Sequence, residues 1–252
     1  MKLDQLKILL SEFGDKVKFE HDLKKKNWFN IGGKAKVFYK SDNLKELINF
    51  LKKLNNKEKI FILGAGSNTL MSDELFDGVV IKLSKNFNNI SLLGKNVIIA
   101  GSGVLDKSLS DFAMNNDLSG FEFLSCIPGT IGGGIKMNAG CFGKEFKDIL
   151  LSVQSIDKIG NIITIPSKDI NFEYRKNNLS DDLIFLSASF KGKKGIASEI
   201  KDKISELKSK KEKNQPTKIK TSGSTFKNPT SQTAKRVWEL FKASLSLDQS
   251  FG

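Results

Sequence analysis

The sequence predicts an α+β fold, and three observations carry that prediction. Strand-like and helix-like segments are intermixed without a regular βαβα beat. The strand candidates are short, rich in β-branched residues and bounded by glycine or polar turns. Three glycine clusters, "LGAGSN" (63–68), "AGSG" (100–103) and "PGTIGGG" (128–134), follow or join strand-like segments. With 252 residues, 39% of them apolar, the chain can bury a real core as one large domain or two smaller ones.

The elements follow in order. Residues 2–12 have helical spacing through Leu3, Leu6, Ile8, Leu9 and Leu10, so 1–26 reads as an N-terminal helical segment. "AKVFYK" (35–40) reads as a strand. A helix follows in "SDNLKELINFLKKL", with Ser41 or Asp42 as N-cap and Leu44, Leu47, Ile48 and Leu51 on one face. "KIFILGAGSN" is an apolar strand running into a glycine turn. "GVVIKLS" and "NVIIAGSG" are further strands, and "LDKSLSDFAMNN" is a short amphipathic helix. Beyond the glycine-rich stretch, "DILLSVQSID", "NIITIPS" and "LIFLSASFK" are strands joined by polar turns. Composition shifts at "KGKKG" (191–195), where a helix striped by Ile196, Ile200, Ile204 and Leu207 runs to a lysine-rich, solvated end. Past Pro216, a loop leads into a last helix, 232–243, with Ala234, Val237, Trp238 and Phe241 on one face. A domain boundary is expected near 195–215. Trp28 and Phe29 read as core residues.

Several classes are disfavoured. The net charge of +13 comes from lysines spread along the whole chain, without the basic stripes or docking motifs of a nucleic-acid binder, so no nucleic-acid partner is expected. No apolar run approaches the ~20 residues of a membrane span, and the N-terminus lacks a signal-peptide pattern, so a cytoplasmic protein without a membrane partner is expected. Cys126 and Cys141 read as buried thiols with no zinc-site spacing, and no metal is expected.

The glycine clusters carry the chemistry. A glycine turn after a strand exposes several backbone N–H groups in a concave array that suits a phosphate, and a Cβ would hold the anion out of reach. One such cluster is as well explained by a tight turn. Three together, with Ser67, Asn68, Thr69 and Thr130 adding donors, point to a ligand with two phosphates. Gly64-x-Gly66 is followed by Ser-Asn-Thr, so the G-x-G-x-x-G fingerprint is absent and a dinucleotide held by loops is expected.

Five segments then occur in a telling order: "NWFNIGG" (27–33), "ILGAGSNTL" (62–70), "IPGTIGGGIKMNAG" (127–140), "FEYR" (172–175) and "GSTFKNP" (223–229). Together they resemble the UDP-N-acetylenolpyruvoylglucosamine reductase family, in its shorter type, over nearly the whole chain from Asn27 onward. The resemblance implies a two-lobed FAD-binding domain of the vanillyl-alcohol-oxidase (PCMH-like) type over 27–195, split near 85–95, and an α+β substrate domain over 196–252. It implies noncovalent FAD, NADPH as hydride donor and a UDP-sugar substrate whose enolpyruvyl ether is reduced to a lactyl ether; a monomer is expected. Gly64, Ala65, Gly66, Ser67, Asn68, Thr69, Gly101, Pro128, Gly129, Thr130, Gly132, Gly133, Gly134 and Asn138 are the implied cofactor residues. Arg175 would stabilise the developing enolate, since a guanidinium fork holds a carboxylate and stays charged. Ser224 would donate the proton to carbon. Tyr174, Lys213, Lys227 and Asn228 would grip the diphosphate and carboxylate, with Lys211 an alternative to Lys213.

The chain departs from the family at "LDQSFG". There the family continues for several dozen residues, including a glutamate that works with the arginine and serine. Two expectations follow: a reductase whose C-terminal domain is incomplete, or a flavin-binding protein with little activity.

Overall fold

The computed structural model describes residues 1–214 and 237–244. By contact it divides into two units, Met1–Thr221 and Ser222–Gly252. Helix α1 (Leu3–Leu9) is shorter than the leucine spacing suggests, and Val17–Asp22 forms strand β1 instead of more helix. The cause is an alternating pattern in "VKFEHD", which buries Val17 and half-buries Phe19 and His21 while Lys18, Glu20 and Asp22 stay exposed. The N-terminal segment is therefore part helix and part strand.

β1 lies antiparallel on β2 (Lys34–Ser41). Helix α2 (Leu44–Leu54) follows, then β3 (Ile60–Ile62) and β4 (Phe76–Leu83). The sheet order is β1-β2-β4-β3, with β4 parallel to both β2 and β3. The N-cap of α2 is Asn43, whose side chain accepts from Glu46 N over 2.9 Å. Ser41 and Asp42 have other partners: Ser41 Oγ donates to Asn43 O, and Asp42 accepts from Ser84 Oγ.

The second lobe begins with β5 (Ile90–Leu93) and β6 (Val97–Gly101), then helix α3 (Asp106–Asn115) and the two-residue strand β7 (Leu118–Ser119). A 3₁₀ turn (Glu122–Cys126) precedes helix α4 (Ile131–Lys136) and the small pair β8 (Gly140–Cys141) and β9 (Lys144–Glu145). Strands β10 (Leu150–Ile156), β11 (Ile162–Pro166) and β12 (Ile184–Lys191) complete an antiparallel sheet ordered β11-β10-β12-β6-β5. β13 (Lys193–Lys194) pairs with β7.

Each lobe has its own core, and the two also share one. Ile98, Leu109, Phe121, Ile135, Phe146 and Phe190 lie in the core of the second lobe. Leu6, Val37, Tyr39, Leu47 and Ile81 of the first lobe pack with Ile156, Ile184 and Leu186 of the second. That shared apolar contact fixes the lobes against each other, and with them the loops between.

Helix α5 (Ala197–Asn214) buries Ile200, Ile204 and Leu207, packing on the 3₁₀ turn and on α3. The stripe read as the opening of a C-terminal domain thus belongs to the first unit, which continues to Thr221. In the second unit, helix α6 (Val237–Ser244) covers part of the expected last helix, with Phe241 exposed. Among the described residues, no helix is long and apolar enough to cross a membrane.

Candidate functional site

The three glycine clusters meet, although they span some seventy residues of sequence. A Cβ on Gly64 would fall 2.5 Å from Thr130 Oγ1, which brings the first cluster against the third. A Cβ on Gly132 would fall 3.1 Å from the Ser102 Cβ, which brings the second against the third. Backbone bonds hold the second junction: Gly132 N donates to Ser102 O, Ile131 N to Val104 O, and Asp106 N to Gly129 O.

Most of these glycines are required by the chain itself. Gly66 sits at φ 69°, and a Cβ there would strike Lys26 O at 2.3 Å; Trp28 N donates to Gly66 O, so "NWFNIGG" lies on the first turn. Gly101 is buried against Phe87 O, and Gly134 lies 2.3 Å, counted from an added Cβ, from the Phe146 ring. Gly129 faces Asp106 Oδ2 in the same way, at 2.6 Å. Gly133 differs. It is exposed, and an added Cβ would meet only Thr130 Oγ1, at 3.5 Å. Among the described residues nothing requires glycine there, so the requirement points outward, to a ligand approaching the backbone.

The electrostatics suit an anion. Lys82 Nζ donates to Gly64 O over 3.3 Å, under the first turn. Burial pushes the Lys82 ammonium below its ordinary pKa, and the positive charges of Lys26 and Lys40 push it the same way. A diphosphate near this turn would relieve both effects. Bare backbone at Gly133, three converging turns and a desolvated lysine together fit the FAD diphosphate. Ala65, Ser67 and Thr69 are half-buried on the first turn and Asn68 is exposed; Pro128 is exposed on the third.

Asn138 closes the loop. It is 3% exposed at φ 42°, its Nδ2 donates to Glu145 Oε2 and Glu173 O, and its Oδ1 accepts from Lys147 N. Its side chain is thus an anchor within the protein. The Glu173 contact extends that anchor to the "FEYR" segment. Glu173 and Lys176 exchange backbone hydrogen bonds, presenting Tyr174 and Arg175 at the tip of a tight turn. Arg175 adopts φ 60°, uncommon for a non-glycine residue, and its guanidinium lies 5.4 Å from the Tyr174 ring centre. Asn177, 1% exposed, donates to Ile135 O of α4 and ties down the other side of the turn. The sequence therefore hangs its arginine from the same loop that holds the glycines.

Residues 35–166 match the family described as FAD binding domain. The UDP-N-acetylenolpyruvoylglucosamine reductase of Pelagibacter ubique (strain HTCC1062) is 64% identical over all of this chain and 83% of its own length. The chain belongs to the UDP-N-acetylenolpyruvoylglucosamine reductases. The relative of that name from Rickettsia typhi (strain ATCC VR-144 / Wilmington) is 45% identical, over 88% of this chain and 74% of its own. The crystal structure of UDP-N-acetylenolpyruvylglucosamine reductase (MurB) from Thermus caldophilus superposes with a TM-score of 0.77 at 30% identity, covering 90% of this chain and 79% of that one. A glucose dehydrogenase, Phl p 4.0202, shares the fold at a TM-score of 0.56 and 12% identity, covering 76% of this chain and 44% of that one.

Other expected residues separate into two groups. Ser224, Lys227 and Asn228 lie outside the described residues, as do Ala234 and the side chain of Trp238. Lys213 is exposed near the end of α5, whereas Lys211 on the same helix donates to Cys126 O beside the glycine loop. Lys211 thus reaches the start of the glycine loop. Trp28 is half-buried and Phe29 is 38% exposed, so Phe29 is not a core residue.

Two features escaped the sequence reading. Asp106 is fully buried with neither carboxyl oxygen partnered, and burial alone pushes its pKa well above the carboxylate range. Cys126 is buried at the end of the 3₁₀ turn, and Cys141 Sγ donates to Phe123 O of that same turn over 3.2 Å. Only their positions flanking the glycines hinted at either feature.

Proposed function

We propose that the chain is an FAD-dependent reductase of UDP-N-acetylglucosamine enolpyruvate, forming UDP-N-acetylmuramate at the expense of NADPH in peptidoglycan precursor synthesis. Membership of the reductase family supports this reading. The observation that carries it is the junction itself: an arginine-bearing turn tied by Asn138 and Asn177 to a loop built for close approach of a dinucleotide. Bound FAD supplies the hydride, received from NADPH.

The turns around Gly64, Gly101 and Gly133, with Ser67, Asn68, Thr69 and Thr130, hold the cofactor diphosphate, and Lys82 offsets its charge. Arg175 grips the substrate carboxylate and stabilises the charge that builds on it as hydride arrives at the neighbouring double bond. Ser224 gives its proton to the carbon of the enolate. A serine hydroxyl is a poor acid in water, so this role requires a site closed to solvent. Tyr174, Lys227 and Asn228, with Lys211 or Lys213, hold the diphosphate and sugar. A monomer working in the cytoplasm fits this chemistry, whose substrates are soluble nucleotides.

The purified protein is expected to be yellow and to oxidise NADPH fast only when the enolpyruvyl nucleotide sugar is present. A preparation that neither carries nor takes up flavin contradicts the proposal. Flavin reduction without lactyl product would leave the cofactor half standing and remove the reductase.

A further inference from the structure

A cavity of about 300 Å³ opens at the carboxyl ends of the parallel strands β2 and β4, the side on which sheets with parallel strands commonly take ligands. None of its lining residues belongs to a glycine cluster. Five of them are lysines and two are aspartates. Lys16 is paired with Glu46 at 2.6 Å and with Asp42 at 3.6 Å, and Lys85 is paired with Asp42 at 3.3 Å. Lys18, Lys26 and Lys40 have no ion-pair partner among the described residues, against one unpaired aspartate, the exposed Asp15.

The surplus charge is felt by its neighbours. Lys40 stands directly opposite Lys82 in the β2–β4 register, and like charges so placed repel. Lys26 enters from the 3₁₀ turn Lys24–Lys26, its Nζ 5.6 Å from the centre of the Phe38 ring. The His21 ring packs on the same phenylalanine, 4.6 Å from centre to centre, and also lines the cavity. Its Nε2 is enclosed without a hydrogen-bond partner among the described residues. Burial holds the His21 imidazole below its ordinary pKa, Lys26 and Lys18 push it the same way, and only Asp22 opposes them. An orphaned ring nitrogen and three unpaired ammonium groups therefore share one cavity.

The cations select the ligand. None of the lining residues is arginine, whose planar fork suits a carboxylate; lysine is a compact point charge of the kind that meets phosphate. Three such charges match a chain of phosphoryl groups better than a single one. We propose that this cavity is a second anion site, which takes a short polyphosphate chain independently of the flavin diphosphate. Lys18, Lys26 and Lys40 hold the chain, and His21 Nε2 bonds one of its oxygens. The chain arrives as inorganic polyphosphate or as the tail of a nucleoside triphosphate, since both present the same linked phosphoryl groups. A bound anion offsets the lysine charges and favours imidazolium, so by reciprocity the chain binds more tightly as pH falls through the His21 pKa.

His21 is the only histidine of the chain, so its imidazole gives a single assignable signal. The test follows that signal by NMR through a pH titration of the flavin-loaded full chain, with and without inorganic pyrophosphate at constant ionic strength. Saturating pyrophosphate should move the titration midpoint up by about one pH unit. The double variant Lys18→Gln, Lys40→Gln changes two exposed side chains; it should keep its flavin and bind pyrophosphate at least about tenfold more weakly. Inorganic triphosphate and ATP form two further arms. Equal affinities assign the inorganic chain as the source, and ATP binding tighter by about tenfold or more assigns the nucleotide. A His21 signal indifferent to pyrophosphate, or a double variant that responds like the parent, overturns the proposal. So does a response seen only without flavin, because the anion then occupies the diphosphate cradle. Flavin-free protein should otherwise show the same shift, so the outcome stands apart from any failure of the FAD reading.

Discussion

Replacing Gly133 with Ala should strengthen the fold and weaken the cofactor complex, and the neighbouring Gly134→Ala should do something different. Both glycines lie inside α4, where alanine favours the helix by about 0.5–1 kcal/mol. At Gly133 the added methyl meets nothing closer than Thr130 Oγ1 at 3.5 Å, an ordinary contact, so that gain is kept. For a domain of this size it raises the melting temperature of flavin-free protein by roughly 1–4 °C. At Gly134 the methyl would lie 2.3 and 2.4 Å from two atoms of the buried Phe146 ring. That ring is set edge-on to Phe123 and Phe190, with centres 6.3 and 6.1 Å away, and has little freedom to retreat. Overpacking costs about 1–3 kcal/mol, so Gly134→Ala ends between neutral and roughly 2.5 kcal/mol destabilised. A methyl pointing outward at Gly133 keeps a diphosphate from the backbone and should weaken flavin binding at least tenfold, or about 1.4 kcal/mol. Thermal melts of the flavin-free variants and a flavin-fluorescence titration read both effects. If Gly133→Ala binds flavin as tightly as the parent, the cofactor does not pass over this residue and the reasoning fails.

Three further outcomes follow from the same geometry. Asp106 retains its proton in the folded state above the unfolded value near 4, so stability is lost as pH rises from there through the folded pKa. Asp106→Asn should remove that alkaline slope; urea unfolding midpoints that fall in parallel for both proteins would disprove it. Asn138→Ala deletes three hydrogen bonds and should destabilise the protein by roughly 2–3 kcal/mol while raising the KM for the nucleotide sugar, read by urea unfolding and steady-state kinetics. Arg175→Ala should lower turnover by about 100-fold or more with flavin still bound, and loss of flavin would break the assigned division of labour.

Local pattern was legible in the sequence, and distance was not. The apolar runs of β2, β4 and β12 and the leucine stripe of α2 announce themselves, because periodicity is set by neighbours along the chain. β1 went unread because its alternation is short and half-polar, and only pairing with β2 fixes it. The Asn43 cap lies one or two residues beyond the expected Ser41 or Asp42 because three adjacent residues all cap well, and hydrogen bonds to Asn43 O and from Ser84 decide which is free. At the site, the glycines signalled close approach without saying to what. Gly64 yields to Thr130, Gly101 to Phe87 and Gly134 to Phe146, contacts that no spacing encodes. Asn138, expected among the cofactor residues, spends its side chain on three bonds within the protein, which support an anchoring role.

The glycines of the three clusters let turns pack against turns, and this has a consequence for chemistry. A cofactor loop stabilised only by its ligand would be free to drift when empty, and the substrate arginine would drift separately. Here the loop is fastened to residues 102–106 by three backbone bonds, to α4 by its own helix, and through Asn138 and Asn177 to the turn bearing Arg175. Hydride transfer demands that donor and acceptor atoms meet within a few tenths of an ångström, and misplacement by about 1 Å costs roughly 100-fold in rate. Anchoring the arginine and the diphosphate cradle to one short helix makes their separation a property of the fold. The positive φ of Arg175 belongs to the same logic: a strained turn persists because both of its flanks are fixed, and its strain keeps the guanidinium at the tip.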